Sequence, residues 1–205
     1  MKPIHFSTPD DSVELARAEV YGLLAQLFYG APDATLYEQL QVAPTVAPAP
    51  GAFLESSWTE VVAATRRLTR EQVADEYDAL FLGLGKPEVF LYGSHHLAGA
   101  LNEKPLVALR DSLRALGLAR AERMAETEDH IAYLCEVMRY LIAGDDASVA
   151  NLAAQKRFFE AHLRPWVERL ADQIAGHPRA DFYRALAEFA RAFFAVEGQG
   201  FDMLE

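Results

Sequence analysis

The chain contains little cysteine, little tryptophan and less positive than negative charge. Its 205 residues include one cysteine and two tryptophans, with 19 Lys and Arg against 30 Asp and Glu. The single thiol, Cys135, excludes an internal disulfide and a zinc site of several cysteines. Because its neighbours Leu134 and Met138 are apolar, we predict a buried, inert thiol and no redox chemistry by the chain itself.

The formal net charge is −11. A strongly acidic chain disfavours binding to nucleic acid and to anionic lipid, and it favours basic partners. An acidic surface can also serve solubility alone. Charge by itself leaves both interpretations open.

Long hydrophobic runs are absent as well. No apolar segment approaches the roughly 20 residues that a membrane-spanning helix needs. The first residues also lack the basic and apolar regions of a secretion signal. We therefore expect no membrane insertion and a cytoplasmic location.

What the sequence does contain is apolar residues at helical spacing, separated by short breaks. The first such face comprises Val13, Val20, Leu23, Leu24, Leu27 and Phe28. Further helices are predicted to start near Asp33, Phe53, Thr69, Lys104, Glu128, Asp145 or Asp146, Trp166 and Pro178. There is no alternating strand, internal repeat or long heptad. We predict one all-α domain over residues 1–205, a bundle of about eight helices.

One long loop interrupts this helical pattern. The helix capped by Thr69 is predicted to carry Tyr77, Leu80, Phe81 and Leu84. Gly83, Gly85 and Pro87 break it, and a non-helical segment follows to about Asn102. Long ordered loops in compact domains are usually functional, and the aromatic content of this one supports a functional role.

An acidic cluster follows the loop by some thirty residues. Glu126, Glu128, Asp129 and His130 are placed at the start of an apolar helix, where the helix dipole favours carboxylates. Their mutual repulsion needs relief from a cationic partner, from an Arg or Lys elsewhere in the fold, or from water. Loop and cluster together suggest a groove with an apolar wall and an acidic edge, suited to a positively charged, apolar segment.

Three catalytic or ligand-binding motifs fit poorly. Gly83 to Lys86 lacks the glycine spacing and the Ser or Thr of a phosphate-binding loop. His95 and His96 are adjacent, so their side chains point apart and neither they nor His130 complete a metal site. Ser94 lacks the glycines of a nucleophile elbow, which makes hydrolysis improbable.

Four groups of residues follow one another along nearly the whole chain: Glu76, Tyr77, Leu80, Phe81 and Gly83; Tyr92, Gly93 and Ser94; Glu126 to Ile131 with Met138; and Phe158, Phe159, His162, Leu163, Pro165 and Trp166. In these residues and in their order, the sequence resembles the TorD/DmsD family of maturation chaperones for molybdenum-containing oxidoreductases, relatives of the NarJ group.

The resemblance implies a non-catalytic helical protein, monomeric or domain-swapped, without cofactor or metal. It would bind the twin-arginine signal peptide of a client enzyme and hold the apoenzyme while molybdopterin is inserted. The implied peptide-binding residues are Tyr77, Phe81, Leu91, Tyr92, Gly93, Ser94, Glu126, Glu128, Asp129 and His130. The alternatives are a helical adaptor, a small-molecule or metal-binding protein, and a metal-dependent hydrolase.

Overall fold

The described part of the chain consists of α-helices and connecting turns. A computed structural model describes residues 9–46, 54–83, 86–120 and 124–204, apart from the side chains of residues 9–11. Its helices are α1 (Pro9–Tyr29), α2 (Ala34–Val42), α3 (Glu55–Arg67), α4 (Arg70–Tyr77), α5 (Gly93–Ala98), α6 (Lys104–Ala115), α7 (Ile131–Ala143), α8 (Leu152–His162), α9 (Val167–Ala175) and α10 (Phe182–Asp202). These ranges contain no β-strand, so the all-α prediction is confirmed, with ten helices where about eight were predicted.

Some predicted features lie outside the described residues, namely Phe53, Leu84 and Gly85. No helix within the described ranges has both the length and the apolar character that a membrane span requires.

The hydrophobic core lies where α1 packs along α7 and where α10 packs against α3 and α9. Leu24, Leu27 and Phe28 of α1 are buried as predicted, whereas Val13 is 58% exposed and does not belong to the core. The predicted face of α10 is also buried: Phe182, Leu186, Phe189 and Phe193. Burial of each large apolar side chain contributes about 1.5–3 kcal/mol, and this burial holds the helices together.

Four helices, α2, α4, α7 and α8, are capped by the side chain of their own N-cap residue. Asp33 accepts the N–H of Leu36 at 2.8 Å, and Thr69 forms a capping box with Gln72, both as the sequence predicts. The prediction for α8 was wrong, because Asn151 and not Asp145 or Asp146 caps that helix. Asp146 instead accepts the N–H of its near neighbour Ser148, a local turn that delays the helix.

Glu76 and Tyr77 connect three helix ends. The Glu76 carboxylate accepts the backbone N–H groups of Asp181, Phe182 and Tyr183 at 2.8–3.0 Å, which caps α10 from a distance. The Tyr77 hydroxyl donates to the carbonyl of Tyr29 at 2.8 Å, at the end of α1. Both side chains therefore satisfy helix-terminal groups that would otherwise lack partners.

The predicted loop is partly helical, which corrects the sequence interpretation. A π-helical turn, Asp78–Leu82, extends α4, and the short helix α5 lies inside the segment expected to be irregular. Gly83 ends the π-helical turn at φ 60°, where an added Cβ would lie 2.1 Å from the carbonyl oxygen of Lys86. Only glycine fits this reversal.

The start of α7 differs from the prediction in a way that matters for the acidic cluster. The helix begins at Ile131, and His130 is its N-cap. Glu128 and Asp129 precede the helix, so they are not first-turn carboxylates. Their position is explained instead by tertiary hydrogen bonds, described below.

Candidate functional site

The two segments that the sequence associates do meet in space. Tyr92 and His130 form an isolated antiparallel bridge. In this bridge, Gly93 donates its N–H to the carbonyl of Asp129 at 2.9 Å, and Ile131 donates to Leu91 at 2.8 Å. The bridge fixes the residues before α5 against those before α7.

Asp129 is buried and its carboxylate is already occupied. It is 3% exposed. One oxygen accepts the backbone N–H of Ser94 at 2.8 Å, and the other accepts the Thr127 hydroxyl at 2.6 Å. Asp129 therefore holds the start of α5 in place.

Glu128 is held by a cation from α6. Arg110 donates to both of its carboxylate oxygens, at 3.0 and 2.9 Å. These hydrogen bonds lower the pKa of Glu128 below its usual value, against the opposing effect of burial. Part of the repulsion within the acidic cluster is thus relieved inside the fold, by an arginine that the sequence pattern did not identify.

His130 is a neutral, buried side chain. Its Nδ1 accepts the N–H of Ala132 at 3.2 Å, which caps α7. Burial lowers the pKa of His130 from 6.5 to about 4, although the Glu126 and Asp129 charges act in the opposite direction. The imidazole is therefore uncharged at neutral pH.

Three tyrosine rings surround His130. The ring centroids of Tyr92, Tyr133 and Tyr29 lie 5.1, 5.8 and 6.3 Å from the imidazole centroid. Tyr29, at the end of α1, is 49% exposed and packs on Tyr133 at 5.7 Å. The sequence interpretation missed Tyr29 and Tyr133; the position of Tyr133 one helical turn after His130 is a local signal that could have identified it.

Glu126 differs from the other two carboxylates. It is half-buried and accepts a hydrogen bond from the Tyr92 hydroxyl. No Lys, Arg or His side chain among the described residues lies within ion-pair distance of it. Burial and the Glu126 carboxylate raise the pKa of Tyr92, so the phenol stays protonated and able to donate.

The expected apolar wall is part of the core. Tyr77, Phe81 and Leu91 are 7%, 6% and 3% exposed. The Phe81 ring packs edge-on against Tyr183 at 5.0 Å. These side chains do not form an open surface, because α10 covers the π-helical turn that carries Phe81. They support the site from behind, and their direct contact with a peptide stays a prediction.

Gly93 and Ser94 face a cavity of about 240 Å³ between α5, α6 and α8. An added Cβ at Gly93 would lie 3.1 Å from the indole nitrogen of Trp166, a tight contact that glycine avoids. The Ser94 hydroxyl is buried and has no hydrogen-bond partner among the described residues. The cavity also contacts Asp129 and His162.

The adjacent histidines point to different neighbours. His95 stacks on Phe90 at 4.1 Å, whereas His96 stacks on Trp166 at 5.1 Å. In the described ranges no three His, Cys, Asp or Glu side chains converge as a metal site would require. Cys135 is buried, and burial raises the pKa of its thiol.

Comparison with known families identifies the chain. Residues 48–172 match the family model described as nitrate reductase delta subunit. The chain belongs to this family. The TorD/DmsD resemblance seen in the sequence is confirmed by relatives that carry those names.

Three relatives of this chain illustrate the similarity. Chaperone protein TorD of Vibrio cholerae is 27% identical, over 92% of this chain and 93% of the relative. The probable Tat proofreading chaperone DmsD of Haemophilus influenzae is 26% identical, over 84% and 86%. The perchlorate reductase assembly chaperone protein of Dechloromonas aromatica is 27% identical, over 87% of both chains.

Proposed function

We propose that this protein is a cytoplasmic, non-catalytic chaperone that binds the twin-arginine signal peptide of a molybdenum-containing oxidoreductase. It retains the client until molybdopterin has been inserted, and only then releases it for export. The names of its relatives support this proposal, since they describe a Tat proofreading chaperone and a reductase assembly chaperone. The partners are the leader peptide and the apoenzyme that carries it.

The observation that carries the proposal is the environment of Glu126. Its half-exposed carboxylate has a phenol donor but no cation among the described residues. A guanidinium group pairs with carboxylate through two hydrogen bonds and also lies favourably over an aromatic ring. Tyr92, which contacts the carboxylate, and Tyr29 and Tyr133, which pack around His130 with it, provide such rings, and neutral His130 does not repel a cation.

The other candidate residues act mainly as supports in this proposal. Asp129 positions α5 through Ser94, and Glu128 adds negative potential that Arg110 partly cancels. Gly93 allows the close approach of Trp166 that keeps the loop in place. Tyr77, Phe81 and Leu91 form the packed layer beneath the binding surface.

Calorimetry with three versions of the client's leader peptide tests the proposal. The arginine pair should bind best, and replacing both arginines by lysines should weaken binding severalfold, because an ammonium group cannot make the two-pronged contact. Replacing them by glutamines should weaken it further. Equal affinity for all three peptides would contradict the proposal.

The matching protein variant is Glu126→Gln. Loss of a charge-assisted hydrogen bond should weaken binding of the arginine peptide about tenfold. Glu60→Gln, an exposed position on α3, is the control and should bind like the original protein. If both variants bind equally well, Glu126 is not the arginine site.

A further inference from the structure

A second concave surface lies beside Glu126, between the end of α6 and the outer face of α7. It encloses about 350 Å³, within the usual range of ligand pockets. We call it the α6–α7 groove. Its apolar lining comprises Leu113, Leu118, Met124, Tyr133, Val137 and Tyr140.

The groove is continuous with the proposed arginine site. Tyr133 belongs to both, since its ring lines the groove and lies 5.8 Å from His130. Met124 precedes Glu126 by two residues along the chain and also lines the groove. A peptide anchored at Glu126 therefore has an exposed apolar surface directly next to it.

The charges at the groove favour an apolar occupant over a second cation. Its two carboxylates, Glu128 and Glu136, are already paired with Arg110 and Arg139. Arg120 also lines the groove and donates to the carbonyl of Met124. Cationic attraction is thus concentrated at Glu126, and the groove mainly offers apolar area.

We propose that the apolar run of the same leader peptide lies in the α6–α7 groove, with its arginines at Glu126 and its apolar residues extending toward Tyr140. This inference rests on the proposed function. It assigns the apolar contacts to a surface that is exposed: Tyr140 is 38% exposed, whereas Phe81 and Leu91 are covered by the fold.

Photo-crosslinking to the unmodified protein tests the location. A leader peptide carries p-benzoylphenylalanine at the first apolar position after the arginines, and adducts are mapped by mass spectrometry. Adducts within residues 113–118 or 133–140 support the groove. Adducts confined to residues 77–97 overturn it. So do adducts confined to a separate cavity of about 500 Å³ that is lined by Val20 and Leu23 of α1 and Trp58 of α3.

A thermodynamic test uses Val137→Gln, which places a polar side chain in the groove. Binding of the leader should weaken about fivefold to tenfold through lost apolar burial. A leader whose apolar run is replaced by serines should bind both proteins with equal, weaker affinity. The matched control is Val107→Gln on α6, a position 57% exposed and outside the groove lining, which should bind normally.

The outcomes separate this inference from the proposed function. Suppose that the leader binds the unmodified protein and binds Glu126→Gln more weakly, yet binds Val137→Gln with unchanged affinity. That result excludes the groove while the proposed function stands. If the leader does not bind the unmodified protein, the function itself fails. Tyr140→Ser, at a more exposed position, provides the same comparison if Val137→Gln does not fold.

Discussion

The hydroxyl of Tyr92 donates a hydrogen bond to the carboxylate of Glu126. This contact joins the segment before α5 to the segment before α7 at the protein surface, close to the Tyr92–His130 bridge. It orients Glu126, whose half-buried carboxylate has no cation partner among the described residues. Three of the four predictions below concern that cluster and the side chains that hold it in place, and the fourth concerns the cap that Glu76 provides for α10.

Arg110→Ala should strengthen binding of an arginine-containing leader about threefold at low salt. Removing this cation leaves the Glu128 charge uncompensated beside the binding surface. The gain should vanish near 0.5 M salt, where the Debye length falls to about 4 Å. Arg114→Ala, one turn further along α6 and paired with Asp111, is the control and should change little. Calorimetry at two salt concentrations measures the effect; a loss of affinity would show that Arg110 itself contacts the peptide.

Asp129→Asn should destabilise the protein by about 1–3 kcal/mol. The buried carboxylate accepts donors from Ser94 and Thr127, and an amide can accept only one of them well. A carboxylate in a first helical turn would instead tolerate this change, since asparagine also caps. Urea unfolding of the variant, with exposed Asp111→Asn as control, distinguishes a buried acceptor from a first-turn carboxylate. Unchanged stability would count against the buried role.

His130→Asn should make stability less sensitive to acid. The folded pKa of about 4 is below the usual 6.5, so the unfolded chain takes up the proton first as the pH falls. The free energy of unfolding therefore carries no penalty from His130 above about pH 6.5, and it declines as the pH falls toward 4. At pH 5 the buried imidazole accounts for a loss of about 2 kcal/mol, which the variant should not show. Asparagine can still cap α7.

Unfolding free energies at pH 7 and pH 5 measure this difference. His162, whose pKa burial also lowers to about 4, is present in both proteins and cancels in the comparison. Parallel pH profiles for the two proteins would refute the buried, neutral state of His130.

Glu76→Ala should destabilise the protein by about 3 kcal/mol. Three backbone N–H groups at the start of α10 lose their acceptor, and they are too buried for water to replace it fully. Glu76→Gln keeps one acceptor oxygen and should recover part of the loss. Asp75→Ala, at the exposed neighbouring position, is the control. Chemical denaturation compares the three variants with the original protein; a Glu76→Ala protein as stable as the original would show that the cap contributes nothing.

Several elements of the fold were predictable because their signals are local. The spacing of Leu24, Leu27 and Phe28 marks a buried helical face, and Thr69 with Gln72 marks a helix start. Such patterns depend on residues within one or two turns of each other. The short helix α5 was missed because six residues between two breaks carry too little periodic signal.

The candidate site was predictable in its segments but not in its division of roles. The sequence associated Tyr92 to Ser94 with Glu126 to His130, and the bridge places them together. It assigned all three carboxylates, Glu126, Glu128 and Asp129, to peptide binding. Arg110 and the N–H of Ser94 make them different, and both donors come from distant parts of the chain.

By itself, the sequence determined that the chain folds into helices and carries an acidic, aromatic segment before α7. Helical period and composition are properties of neighbouring residues, so they can be read along the chain. Only the tertiary structure decided that Phe81 and Leu91 are covered, that Asp129 is occupied, and that Glu126 remains without a described cation partner. Burial and charge pairing depend on which distant side chains pack nearby, and that is fixed only when the helices come together.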